Sequence, residues 1–146
     1  MTHKKILLVE DNPDDVELTI LAFEQSNMQN EIVIVTDGKE ALDYLFCQGK
    51  HASRDAKDIP AIVLLDLNLP KIKGLQVLKE IRANPLTQLI PVIILTSSKM
   101  ENDMIQSYLG GANSYIQKPV VLAEFFAAIK ALALYWLVVS DLPPER

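Results

Sequence analysis

Short, mostly apolar runs that end at reactive polar residues limit what this chain can fold into. Ile6-Leu7-Leu8-Val9 leads to Glu10-Asp11, Ala61-Ile62-Val63-Leu64-Leu65 to Asp66, Val92-Ile93-Ile94-Leu95 to Thr96, and Ser114-Tyr115-Ile116-Gln117 to Lys118-Pro119. Runs of four or five residues without alternation suit strands buried on both faces, as in parallel sheets covered by helices. With helical segments between the runs, the pattern implies five repeats of strand then helix. The predicted strands lie at 5–9, 32–36, 61–66, 91–96 and 113–117. If they are parallel, three carboxylates, a hydroxyl and an ammonium meet at one sheet edge, the edge where ligands of open α/β sheets bind.

The helix starts carry their own signals. Asn12-Pro13-Asp14-Asp15 supplies a cap, a proline for the first helical position and acids for the first turn. Asp37-Gly38-Lys39-Glu40 and Ser98-Lys99-Met100-Glu101 have the spacing of a capping box, and Gly110-Gly111 stops the helix between the fourth and fifth strands. Gln48 to Pro60 is polar and charged and is predicted to be a surface loop, long for such a unit.

Composition narrows the partners. The 146 residues suit a single domain, 1–146, ending in a short exposed tail, Pro143 to Arg146. Fourteen Lys and Arg against 19 Asp and Glu give a net charge of -5 and no basic cluster, which argues against nucleic acid. Cys47 is the only cysteine, so no intramolecular disulfide forms, and a reducing cytoplasm is the expected setting. The longest apolar stretch, Ala131 to Val139, is too short to span a membrane.

Glu10, Asp11 and Asp66 would make a hard-oxygen site suited to Mg²⁺, which keeps several waters and needs few protein ligands. Each residue also has a bland reading. Glu10-Asp11 resembles an ordinary helix-start loop, and Asp66 either does chemistry or caps a helix, although an acid after a buried strand is costly unless paired or used. Lys118 is a solvated loop lysine unless it reaches the acids. Thr96 and Ser97 are helix caps unless they donate to a ligand.

An acidic pair, then Asp, then Thr-Ser, then Lys-Pro, each at a strand end, resembles the receiver domain of two-component response regulators over nearly the whole chain. The resemblance implies a doubly wound, flavodoxin-like α/β sandwich of three layers, with a five-stranded parallel sheet in the order 2-1-3-4-5. It also implies Asp66 as phosphoacceptor and Glu10, Asp11, Asp66 and the Asn68 carbonyl as Mg²⁺ ligands. Thr96, Ser97 and Lys118 then surround the phosphoryl group, Tyr115 is the aromatic switch, and Pro119 follows a cis peptide bond. The expected function is that of a phosphorylation switch served by a histidine kinase, not an enzyme, with at most slow self-dephosphorylation. Three features depart from the family: Val121 replaces a polar helix cap, Ser97 replaces a smaller residue, and the loop from Gln48 to Pro60 is long.

In the last helix, Leu122, Phe125, Phe126, Ile129, Leu132, Ala133 and Trp136 form the stripe expected to face the sheet. Ala127, Ala131, Leu134, Tyr135 and Val138 lie opposite, where polar residues belong. That face predicts either a fold-back of the C-terminal residues or a homodimer through the fourth helix, fifth strand and fifth helix, a surface many receiver domains use. Tyr108, Leu134, Tyr135 and Val138 are its candidate residues. Leu134-Tyr135-Trp136-Leu137 and the long loop look most like the stand-alone receivers that accompany cyanobacterial phytochrome kinases.

Three rival readings remain. An aspartyl-nucleophile phosphohydrolase needs a second acid two residues on, where Asn68 stands. A flavin carrier of the same topology needs a phosphate-cradling first loop, where Glu10-Asp11-Asn12 repels phosphate. A degenerate receiver acting as a scaffold lacks site residues, and here the expected residues are all present.

Overall fold

Every predicted strand forms within one residue of its expected bounds. The structure is a computed structural model describing residues 5–25, 30–118 and 122–133. The strands are β1 (Ile6–Val9), β2 (Ile32–Val35), β3 (Ile62–Leu65), β4 (Val92–Thr96) and β5 (Ser114–Gln117). The helices are α1 (Pro13–Gln25), α2 (Gly38–Leu45), α3 (Gly74–Ala83), α4 (Glu101–Leu109) and α5 (Leu122–Ala133). All strand pairs are parallel and the order is β2-β1-β3-β4-β5, as the resemblance implied.

Side chains of a strand alternate between the two faces of the sheet, and both faces here are covered. Ile6, Leu8, Ile62, Leu64, Ile93 and Leu95 pack under Ala22 and Phe23 of α1 and Phe125 and Ile129 of α5. Leu7, Val9, Val63, Leu65, Val92 and Ile94 pack under α2, through Ala41, Tyr44 and Leu45, and under α3, through Val77, Leu78 and Ile81. Each such side chain removed from water stabilises the fold by about 1.5–3 kcal/mol. This double coverage explains why the central runs do not alternate. The edge strands β2 and β5 are less buried, and Ile34 is exposed.

Two helix starts follow the sequence and one does not. Asn12 Oδ1 accepts from the amides of Asp14 at 2.9 Å and Asp15 at 3.3 Å, capping α1. Asp37 Oδ1 accepts from Glu40 N at 2.7 Å, and Glu40 Oε1 accepts from Thr36 N at 3.2 Å, one residue before the expected capping-box partner. The capping box from Ser98 to Glu101 does not form. Helix α4 begins at Glu101 behind Met100, whose side chain makes no cap; the Ser98 hydroxyl accepts from the Met100 amide at 3.3 Å, rather than from that of Glu101, and donates to Asp103 Oδ2 at 2.5 Å.

The loop from Gln48 to Pro60 is tied to α2. It opens with a 3-10 turn, Gly49–His51, and the Arg54 guanidinium lies over the Tyr44 ring at 3.7 Å while donating to the carbonyls of Tyr44 and Asp58. Lys5 pairs with Asp58 at 2.6 Å, joining the loop to the start of β1. Val121 lies outside the described residues.

Two substitutions test this architecture. A Cβ on Gly74 would run into the Asp66 carbonyl and stand 2.7 Å from Leu67 Cα, so backbone at the end of β3 must move. Gly74→Ala is expected to lower stability by about 1–3 kcal/mol in urea unfolding, overpacking outweighing the gain in helix propensity. Arg82 donates to the carbonyls of Gly111, Gln88 and Ile90 and to Asn113 Oδ1, binding α3 to the turns before β4 and β5. Lysine cannot reproduce that planar fork, so Arg82→Lys is expected to cost about 1.5–3 kcal/mol, read as a lower unfolding midpoint with unchanged slope.

Candidate functional site

Backbone pairing delivers the polar residues to one edge. Glu10 N donates to Val35 O at 3.0 Å, Asp66 N to Val9 O at 3.1 Å, and Lys118 N to Thr96 O at 2.7 Å. Each of these residues is therefore the first beyond its strand and still bonded to the neighbouring strand. Their positions are set by the sheet rather than by loops.

The side chains converge on a common centre. Oxygens of Glu10, Asp11 and Asp66 lie within 4.8 Å of one another, with Glu10 and Asp66 buried and Asp11 exposed. The Lys118 ammonium, its side chain 2% exposed, pairs with Glu10, with Asp15 at 2.9 Å and with Asp66 at 3.5 Å. Three carboxylates thus contact one ammonium, and Asp11 adds a fourth acid to the cluster, an oxygen-rich set that suits a divalent cation.

Titration reflects this crowding. Burial, together with the neighbouring Asp66 charge, pushes Glu10 up to about 7 in spite of Lys118. Burial also opposes ionisation of Asp66, but the Lys118 charge and hydrogen bonds from Glu10, Thr96 and Asn68 outweigh it and hold Asp66 below the ordinary carboxylate range. The pair is thus polarised, with Asp66 held towards its ionised form and Glu10 away from it.

The remaining predicted residues lie along the same edge. Asn68 is exposed and its amide donates to Asp66 Oδ1 at 3.2 Å. Thr96 is fully buried, and Ser97 beside it is exposed. The Tyr115 hydroxyl donates to Ser98 O at 3.2 Å, and burial raises its pKa, keeping it a donor. Pro119, with the cis bond expected before it, lies outside the described residues, as do Leu134, Tyr135, Trp136 and Val138. Tyr108 is half exposed on α4.

Two residues gained roles that the sequence did not indicate. Asp15, read only as a first-turn acid, holds Lys118; its single sequence signal is the separation from Asp11 by about one helical turn. Ser98, read as a cap, joins three elements: its amide donates to Thr96 Oγ1 at 3.3 Å, its hydroxyl to Asp103, and its carbonyl accepts from Tyr115.

Comparison with known proteins agrees with this geometry. The model of the response regulator receiver domain matches residues 6–130. The response regulator Rcp1 of Synechocystis sp. is 39% identical over 96% of this chain and 93% of its own length. The crystal structure of the phosphorylated cyanobacterial phytochrome response regulator RcpA, 41% identical, covers 98% of this chain and all of that one with a TM-score of 0.89. The Mn²⁺-bound form of Rcp1, 38% identical, covers 97% of this chain and 99% of that one with a TM-score of 0.88. A strand-end constellation of acids, hydroxyl and lysine on a sheet of order 2-1-3-4-5, matched over nearly its full length, makes this chain a member of the response regulator receiver domain family.

Proposed function

We propose that Asp66 accepts a phosphoryl group from the phosphohistidine of a histidine kinase and that the resulting acyl phosphate switches protein contacts. The observation that carries this reading is the convergence of Asp66, the Glu10–Asp11 pair and the buried Lys118 at the sheet edge. Phosphoryl transfer asks the protein mainly for positioning and for neutralisation of charge on the equatorial oxygens. In the transfer, an Asp66 oxygen forms the new bond to phosphorus as the bond from phosphorus to the kinase nitrogen breaks.

Glu10, Asp11, Asp66 and the Asn68 carbonyl are the residues that would hold a divalent cation, and Mg²⁺ fits their hard oxygens. A bound cation supplies electrostatic stabilisation of the transferring group. Lys118 supplies the fixed positive charge, Thr96 and Ser97 supply hydroxyls beside the acceptor, and the inward Tyr115 reports on the loop between them. A phytochrome-type kinase is the proposed donor, a choice supported by the likeness to RcpA and Rcp1. Self-dephosphorylation is expected to be slow, with exposed Ser97 as one of the groups limiting access to the acceptor.

The surface that changes is assigned to α4, β5 and α5. Met104, Ile105, Tyr108 and Leu109 of α4, with Met100 just before it, recur at the spacing of one helix face and are all exposed. Ala127 and Ala131 are exposed on α5. A contiguous apolar stripe on a receiver with an acidic surface favours a second copy of the chain as its cover, in line with the homodimer expected from the sequence.

Two experiments test these assignments. Incubated with Mg²⁺ and a small phosphodonor, the protein is expected to gain one phosphoryl mass by intact-mass spectrometry, and Asp66→Asn to gain none; no gain in the parent would leave a scaffold as the better reading. Sedimentation at micromolar concentration is expected to show dimers that Ile105→Glu or Tyr108→Glu dissociates. Monomer alone, with and without phosphorylation, would remove the homodimer.

A further inference from the structure

The Lys118 ammonium pairs with three carboxylates, and they differ in what else is asked of them. Glu10 and Asp66 belong to the cluster read as the divalent-cation site, whereas Asp15 lies outside it. An ion that draws on the oxygens of Glu10 and Asp66 competes with the ammonium for them and repels it. Lys118 has almost no exposure, so it cannot retreat into water, and a buried cation stripped of its counter-charge is strongly destabilising. It needs a carboxylate that the metal does not use.

Asp15 is placed for that purpose. It stands 2.9 Å from Lys118 Nζ, in the first turn of α1. That turn is held firmly: the Asp15 amide donates to Asn12 Oδ1 at 3.3 Å, and its carbonyl accepts from the Thr19 hydroxyl at 2.8 Å. Its side chain is about a quarter exposed, whereas that of Glu10 is almost completely buried. Asp14 is one residue earlier in the same turn, is exposed and makes no ion pair among the described residues. The two acids share the first turn of α1 and differ in their contact with Lys118.

We propose that Asp15 is a positioning residue that retains the Lys118 ammonium while Glu10 and Asp66 take up the divalent cation, and that it thereby sets the affinity for the cation. The inference rests on the reading of Glu10, Asp11 and Asp66 as a divalent-cation site. Without Asp15 the ammonium stays on Glu10 and Asp66, and the incoming ion meets a lysine in its place. A plain loss of negative charge near the site would also weaken binding, but it would do so whether or not Lys118 is present.

Binding of Mn²⁺ to the full chain, measured by calorimetry and by water-proton relaxation, separates these cases, with thermal melts of each variant alongside. The parent is expected to bind. Asp15→Asn is expected to weaken binding about tenfold, the lower end of what outer groups that orient metal ligands contribute. Asp14→Asn should stay within about twofold of the parent and Asp15→Glu, which keeps the charge, should recover most of the loss. In a Lys118→Met background, adding Asp15→Asn should change affinity by less than about twofold, since the ion it restrained is gone. Equal losses in Asp15→Asn and Asp14→Asn, or an undiminished tenfold loss in the Lys118→Met background, would overturn the proposal. If Lys118→Met does not fold, the comparison of the Asp14 and Asp15 variants decides. A parent that binds no Mn²⁺ would overturn the cation site itself, and the role of Asp15 with it.

Discussion

Parallel pairing in register brings the residue after each strand to one edge of the sheet, and the rest of the molecule is arranged around the charges collected there. Val9, Leu65 and Ile94 are aligned partners across β1, β3 and β4, so Glu10 and Asp66 emerge side by side, with Thr96 two residues beyond Ile94. Lys118 follows Gln117, the partner of Thr96. An antiparallel arrangement of the same runs would scatter these groups between two edges. The fold therefore holds carboxylates close together against their mutual repulsion, with the amides of Glu10 and Asp66 each bonded to the neighbouring strand.

Holding them there has an electrostatic consequence. Buried acids in contact favour neutral forms, yet the phosphoryl acceptance proposed for Asp66 needs it ionised. Lys118 resolves the conflict unevenly. Its charge, with hydrogen bonds from Glu10, Thr96 and Asn68, keeps Asp66 ionised, while Glu10, buried beside an ionised neighbour, rises to about 7. The same surroundings thus push the two members of the pair in opposite directions. Lys118 is buried because it serves several carboxylates at once, which is also why a solvated loop lysine was the wrong picture for it.

What could be read from the chain follows from how local the cause was. The strands were legible because burial on both faces leaves an unbroken apolar run, and Asp37 and Asn12 were legible because a cap acts on amides two or three residues away. Ser98 carried an equally good local signal and it misled, since its hydroxyl accepts from the amide of Met100, two residues on, rather than from that of Glu101, while donating to Asp103. Asp15 had no local signal for its partner, more than a hundred residues away in sequence. The stripe on α4 was hidden for a similar reason: its apolar residues look like core until the packing of α3 and β5 shows that only Ser107 of that helix is buried.

The position of Ser98 gives the proposed switch a physical path. Thr96, Tyr115 and Asp103 belong to β4, β5 and α4, and all three bond to this one residue. A Thr96 hydroxyl that turns towards a phosphoryl group withdraws the acceptor from the Ser98 amide, and the loop that follows is then held only through its carbonyl and hydroxyl. Those two contacts lead directly to the β5 edge strand and to the first turn of α4, next to Met100 and Met104 at the head of the exposed stripe. Coupling by this route requires no deformation of the sheet. It requires a rearrangement of three hydrogen bonds at the one loop that lies between the charged edge and the apolar face, and that loop is short enough for the loss of a single acceptor to be felt at the helix start.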